Sequence, residues 1–187
     1  MPVRTIVVPG ATPRRVVRGA DAALLAPFVD AGRCLVADGA AALTTSCGFL
    51  LRLQAALRDA LPVPVWTSSL LALPALPAPG VLTVDAEAFD AGLLRAAGAP
   101  DDIPVEGLAP GGHLQRVLLE DQPTLNVERA ETEVVAAAQR LVRRAPWVQT
   151  IVFECTNLPP YAGAVRRATG RRTFDLIDLV TERWNSR

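Results

Sequence analysis

The chain has 187 residues, half of them hydrophobic, and its 19 basic residues balance its 19 acidic residues. This composition is sufficient for one ordinary domain or two small lobes with a sizeable core, and it excludes global disorder. Zero net charge gives no attraction to nucleic acid or to an anionic membrane, so we expect a small-molecule partner.

In the first part of the chain, short β-branched runs alternate with longer Ala- and Leu-rich stretches, which is typical of a parallel α/β fold. The predicted strands are 5–8, 41–45 and 63–66, and the predicted helices are 21–38 and 48–61. Pro64 favours an edge or terminal position for the third strand.

A proline-rich stretch, 74–80, is the best candidate for a boundary between two lobes. Beyond it the pattern predicts strands at 81–84, 149–154 and 172–174, a weaker extended piece from Val105, and helices at 86–97, 127–144, 159–169 and 175–184. Asn126 is suited to cap the long helix 127–144. The predicted fold class is therefore α/β, with parallel sheets flanked by helices.

Targeting and metal-binding signals are missing from the sequence. The apolar run before Pro9 is too short for the core of a signal peptide, and no window approaches the ~20 apolar residues that span a bilayer. Three cysteines without CxxC spacing favour free thiols in a reducing compartment, and His113 is the only histidine, so a His–His metal pair is excluded. We predict a cytoplasmic protein without a metal site.

Two of the cysteines share one local setting. Cys47 and Cys155 each follow a predicted strand and precede a predicted helix. Ligands of parallel α/β sheets bind beyond the carboxyl ends of the strands, and a helix start favours thiolate over thiol. We therefore expect lowered thiol pKa values and a role as base or nucleophile. Cys34 is interpreted as an ordinary core residue of its helix.

The strings around these cysteines, LTTSCGFL (43–50) and FECTNLPPYA (153–162), resemble the two cysteine motifs of an uncharacterised branch of the aspartate/glutamate/hydantoin racemase family. The resemblance continues through VRTIVVPGATPRRVVRG, VPVWTSSL, GVLTVDA and LEDQPTLNVERAE, and it covers nearly all of the chain. It implies two pseudo-symmetric lobes, 1–78 with 170–187 and 79–169, and an active site in the cleft between them. The family normally begins with one more strand, which no segment before Thr5 is expected to supply.

The resemblance implies a racemase or epimerase that needs no cofactor and acts on an amino acid or a related small acid. One of the two cysteines removes the proton beside a carboxylate, and the other delivers a proton to the opposite face. Nearby polar groups are expected to bind the carboxylate and to stabilise the developing charge. These predicted binding residues are Thr45, Ser46, Thr67, Ser68, Thr156 and Asn157. Ser68 and Ser69 would serve equally well as a helix cap. Asp85, after the strand 81–84, would line the cleft or cap the following helix, and the cap is favoured.

Several alternatives stay open. The same cleft would suit decarboxylation of a malonate derivative or cis–trans isomerisation of a dicarboxylic acid, with one cysteine acting on a carbanion or a double bond. From a different class, the chain would be a non-catalytic protein that binds small acids, or an inactive remnant. The resemblance also allows a homo-oligomer.

Overall fold

Helices and short parallel strands alternate along the chain in the computed structural model, which describes residues 2–19 and 22–186. The α-helices are α1 (Pro13–Val17), α2 (Leu25–Ala37), α3 (Gln54–Ala60), α4 (Ala91–Ala96), α5 (His113–Leu119), α6 (Val127–Arg144), α7 (Ala162–Thr169) and α8 (Leu176–Asn185). The strands are β1 (Leu43–Thr44), β2 (Val65–Trp66), β3 (Pro79–Thr83), β4 (Val105–Gly107), β5 (Thr150–Phe153) and β6 (Arg172–Phe174). Four 3₁₀ helices complete the described elements: Ala22–Leu24, Gly48–Leu53, Ser69–Ala75 and Pro159–Tyr161.

The strands form two separate parallel sheets. β1 pairs with β2, with Leu43 opposite Val65. The larger sheet has the order β4-β3-β5-β6, and all three of its strand pairs are parallel. Parallel neighbours need long crossover connections, and helices supply most of them here. This arrangement confirms the predicted α/β fold with parallel sheets flanked by helices.

The larger core lies around the central strands β3 and β5. All four residues of β5 are buried, because both faces of a parallel sheet are covered. Helix α6 packs against α7, α5, β3 and β4. Its buried residues recur at helical spacing, and several are alanines that allow close approach: Ala130, Val134, Ala137, Ala138 and Leu141.

A smaller core accompanies the two-stranded sheet. It joins α2 and α3 to β1 and β2 through five buried residues: Val29, Leu43, Leu57, Leu61 and Val65. The first half of the chain therefore has an apolar cluster of its own, although the Gly48–Leu53 and Ser69–Ala75 segments contribute to the larger core.

Several predicted elements are confirmed. Helix 127–144 has the predicted bounds, and the Asn126 side chain accepts a hydrogen bond from the Arg129 backbone N–H at 2.9 Å. The helix predicted from Asp21 appears as Ala22–Leu24 followed by α2, and Asp21 itself lies outside the described residues. Helix 48–61 begins as a 3₁₀ helix and continues as α3.

The helix predicted over 86–97 is shorter than expected. Asp85 accepts hydrogen bonds from the backbone N–H groups of Glu87 and Ala88, which closes a turn after β3. The helix starts only at Ala91, after Asp90, whose side chain accepts from the Leu93 N–H at 3.2 Å. Side-chain hydrogen bonds to the backbone compete here with helix formation.

The strand predicted over 5–8 is wrong. Residues 2–8 contain no strand, and Val3 and Val7 are 75% and 85% exposed. Among the described residues, β1 pairs with β2 alone, so this β-branched run has no neighbouring strand. A high β propensity produces a strand only where a sheet offers a partner.

The last part of the chain contacts both halves. β6 pairs with β5 in the larger sheet, with Arg172 opposite Thr150, although the sequence assigned 170–187 to the first lobe. The following helix, α8, packs against the Ser69–Ala75 3₁₀ helix of the first half. The residue ranges of the two lobes stay a prediction. Among the described residues, no helix has the length and apolar character that crossing a membrane requires.

Candidate active site

The two cysteine-bearing segments come together where strands β1 and β5 end. Cys47 directly precedes the Gly48–Leu53 3₁₀ helix, and Leu50 donates a backbone hydrogen bond to the Cys47 carbonyl at 3.1 Å. Cys155 follows β5 and begins a turn closed by the Leu158 N–H on the Cys155 carbonyl, also at 3.1 Å. The predicted strand–Cys–helix setting is therefore present twice, with 3₁₀ rather than α-helical starts.

Side-chain hydrogen bonds join these segments across the sequence. The Thr156 hydroxyl donates to the backbone carbonyl of Ser46, 110 positions away. The Ser69 hydroxyl donates to the Phe153 carbonyl at 2.7 Å, which fixes the Ser69–Ala75 helix on the end of β5. The first half of the chain is thus docked on the strand that presents Cys155.

The three cysteines differ in exposure. Cys155 is 9% exposed and belongs to the larger core, Cys47 is half-buried against it, and Cys34 is exposed on α2. The prediction that Cys34 is a core residue is therefore wrong, because it lies on the outer face of α2. Asn157 lies beside the buried thiol, with its amide nitrogen 3.9 Å from the Cys155 sulfur.

The expected lowering of the thiol pKa values is also wrong. Burial, and secondarily the charge of Glu154, raises the pKa of Cys155 to about 12. The pKa of Cys47 is raised as well, first by burial and then by the charges of Glu154 and Cys155. Backbone N–H groups of Phe49 and Leu50 lower the Cys47 pKa, as a helix start should, but desolvation outweighs them.

Sequence reasoning missed Glu154, the residue between β5 and Cys155. Its side chain is buried, and its Oε2 accepts a hydrogen bond from the Thr83 hydroxyl at 2.7 Å. Burial raises its pKa to about 7 from 4.5, against the lowering effects of Thr83, the Phe49 N–H and Arg52. An acidic residue at the end of a continuous apolar strand was the only signal available in the sequence.

The predicted binding residues divide into two groups. Ser46 and Asn157 are exposed, and Thr45 and Thr156 are half-buried beside the cysteines. The Thr45 hydroxyl donates to the Thr67 carbonyl at 2.7 Å. All of these residues lie in the two cysteine segments, and their substrate-binding role stays a prediction.

Thr67 and Ser68 are fully buried and already bonded within the protein. The Thr67 hydroxyl and backbone N–H both donate to Gln54 Oε1, at 2.7 and 3.0 Å. The Ser68 hydroxyl accepts from the Leu70 N–H at 3.2 Å, which favours its interpretation as the cap of the Ser69–Ala75 helix. In this structure both residues hold the backbone that follows β2.

The Asp85 carboxylate is likewise already hydrogen-bonded within the protein. Besides closing the turn after β3, its carboxylate accepts a hydrogen bond from Arg18 Nε at 2.7 Å. It also borders a cavity of about 430 Å³ at the ends of β3 and β4, together with Glu106, Gln115 and Arg140. The cysteines do not line that cavity.

No cluster of three or more His, Cys, Asp or Glu side chains suited to a metal ion occurs within residues 2–19 and 22–186. The chemistry that the site itself offers is that of two thiols, one buried carboxyl group and the hydroxyl and amide donors around them.

Comparison with solved structures defines the fold class. The chain is similar to allantoin racemase from Klebsiella pneumoniae, with a TM-score of 0.66, 16% identity and coverage of 87% of this chain and 65% of that one. It is similar to arylmalonate decarboxylase, with a TM-score of 0.52, 20% identity and coverage of 81% and 70%. The chain thus has the α/β fold of the aspartate/glutamate/hydantoin racemase superfamily, and the resemblance is confirmed at the level of the fold.

Among curated proteins, the chain is similar to dimethylsulfoniopropionate lyase 7 of Emiliania huxleyi, with 32% identity over 165 residues. The match covers 80% of this chain and 48% of that protein. A dimethylsulfoniopropionate lyase of Durusdinium sp. clade D is 28% identical over 150 residues, which are 74% of this chain and 50% of that protein. The chain spans about half the length of the curated relatives it matches. No family model matches it.

Proposed function

We propose that the protein is a cofactor-independent enzyme that removes the proton beside the carboxylate of a small acid, with Cys47 and Cys155 as the acid–base pair. The observation that carries this proposal is the docking of the two cysteine segments, joined by the Thr156 to Ser46 hydrogen bond. The charge of Cys155 also acts on the pKa of Cys47, which supports a shared site. Racemisation or epimerisation is the reaction that uses both thiols.

The burial of the thiols suits this chemistry. A proton bound to carbon is difficult to remove and requires a strong base. Raising the pKa of a thiol makes its thiolate scarcer, but it also makes that thiolate a stronger base than an exposed one. The exposed Asn157 amide, beside the Cys155 sulfur, is a donor for the charge that develops on the substrate. The opposite thiol, still protonated, is the acid that completes the exchange.

The similarity to dimethylsulfoniopropionate lyases favours a second candidate, β-elimination from a sulfonium-bearing propionate. The first step is the same: a thiolate takes the proton beside the carboxylate. The electron pair then forms a carbon–carbon double bond, and the carbon–sulfur bond breaks with its electrons going to the departing sulfide. This reaction requires one base rather than two. Decarboxylation or isomerisation of a dicarboxylic acid stays an alternative use of the same thiols.

Solvent deuterium exchange at the carbon beside the carboxylate, followed by NMR, tests the proposal. The panel is a set of amino acids, hydantoins and a sulfonium propionate. We expect exchange in the native protein and a loss of about 100-fold or more in both Cys47→Ser and Cys155→Ser, the range found for acid–base groups. Cys34→Ser is the matched control and should leave exchange unchanged, because Cys34 is exposed on α2.

The products separate the two candidates. A racemase inverts configuration and loses its activity in either serine variant, whereas a lyase releases sulfide and an alkenoate and keeps its activity in the variant that spares its single base. A folded native protein that exchanges no proton and eliminates nothing would contradict both, and would favour a protein that only binds small acids.

A further inference from the structure

A buried carboxyl group lies between the two cysteine segments. Glu154 is 1% exposed, its Oε2 accepts a hydrogen bond from the Thr83 hydroxyl, and its Oε1 has no hydrogen-bond partner, although the Phe49 backbone N–H also acts on the carboxyl group. The other oxygen, Oε1, lies against Gly48, where a Cβ atom would stand 2.5 Å away. Glu154 is the chain neighbour of Cys155. It also packs against Gly48, which is the chain neighbour of Cys47. The carboxyl group is therefore next to both cysteine segments.

No cation is paired with this carboxyl group among the described ion pairs. Within residues 2–19 and 22–186, Arg52 is the one positive charge that acts on it. The Arg52 guanidinium is directed elsewhere, to Asp90 at 2.8 Å and to the Ala88 carbonyl at 2.9 Å. The charged and titratable groups that act on Glu154 and the cysteines are thus each other and Arg52. An unpaired buried carboxylate has its strongest effect on the groups nearest to it.

We propose that Glu154 is a positioning residue for the cysteine pair: its carboxylate holds the negative charge of the site and, together with burial, keeps Cys47 and Cys155 protonated. This proposal rests on the proposed function only where it calls the two thiols an acid and a base. In a poorly solvated site a second negative charge is costly, so a thiolate forms more readily when the carboxyl group is neutral. Glu154, Cys47 and Cys155 are therefore expected to carry a single negative charge between them.

Glu154→Gln tests this coupling, since the amide has the shape of the carboxyl group but is always neutral. The rates at which a small thiol reagent, methyl methanethiosulfonate, modifies Cys47 and Cys155 are followed by peptide mass spectrometry from pH 6 to pH 8.5. At pH 8.5 we expect both residues to react about ten-fold faster in the variant, the effect of one like charge nearby. At pH 6 the ratio of variant to native rates should be close to one, because Glu154 is then neutral in the native protein too.

The pH dependence of this ratio distinguishes charge from structure. A variant that merely loosened the site would speed modification equally at pH 6 and pH 8.5, and that result would overturn the proposal. A ratio of variant to native rates near one at both pH values would overturn it too. Cys34 is the internal standard in each sample, and Glu182→Gln, on the exposed face of α8, is the matched charge control. If the ratio rises with pH while no deuterium exchange is found, the coupling stands and the proposed function fails.

Discussion

Alanine in place of Gly48 is expected to destabilise the protein by about 1–3 kcal/mol, the usual cost of overpacking a filled site, and to abolish the proton exchange proposed for Cys47. The added Cβ would lie 2.4 Å from the Glu154 carbonyl oxygen and 2.5 Å from Glu154 Oε1. The carbonyl belongs to the buried backbone that follows β5 and cannot move without disturbing the sheet. The Gly48–Leu53 helix must therefore shift, and Cys47 shifts with it.

Urea denaturation gives the change in unfolding free energy, and deuterium exchange gives the change in activity. The matched control is Gly163→Ala in α7, where the new Cβ would meet only the flexible end of Arg167 at 3.4 Å. That substitution should be neutral or stabilise by about 0.4–1 kcal/mol, since it restricts the unfolded chain. Equal stability of Gly48→Ala and the native protein would contradict the close packing of Glu154 on Gly48.

A second large effect is expected in the pH dependence of stability. The pKa of Glu154 rises from 4.5 to about 7 on folding. Between these values the folded protein binds the proton and the unfolded chain has lost it, so the unfolding free energy falls as the pH rises. The stabilisation is fully present below about pH 4.5 and is lost as the pH passes through about 7. A shift of this size corresponds to a loss of about 3 kcal/mol between low and slightly alkaline pH.

Urea unfolding of the native protein and of Glu154→Gln at pH 5, 6, 7 and 8 measures this effect. We expect the native curve to fall over this range and the variant curve to be much flatter, so that the variant is the more stable protein at pH 8. The Glu182→Gln control should follow the native curve. Parallel curves for the native protein and Glu154→Gln would show that the buried carboxyl group does not titrate in this range.

The elements with strong local signals were the ones that the sequence predicted well. Helix α6 has a complete helical repeat and an Asn126 cap, and β5 is an apolar run between polar residues. That Cys47 and Cys155 share one site stays a prediction; it came from two matching strand–Cys–helix strings and from the tendency of ligands to bind beyond the carboxyl ends of parallel strands. These signals lie within a few residues of each other or in the periodicity of a single element.

The errors came from effects of neighbours distant in sequence. The run 5–8 has strand propensity, but nothing in the sequence shows whether a partner strand lies beside it. The pKa values of the thiols were predicted from the helix starts, which are local, whereas burial and the charge of Glu154 depend on the docking of two sheets. Glu154 itself was passed over for the same reason, because its surroundings come from β3 and the Gly48–Leu53 helix.

The Thr156 to Ser46 contact has a consequence for folding. It closes a chain loop of 110 positions, and contacts of such separation carry a large entropic cost, so they are expected to form late. During synthesis Cys47 emerges well before Cys155, without the burial and the neighbouring charge that raise its pKa in the finished protein. Thiol oxidation requires the thiolate, so the newly made chain is the form most vulnerable to oxidants, and completion of the fold protects the residues on which the proposed chemistry depends.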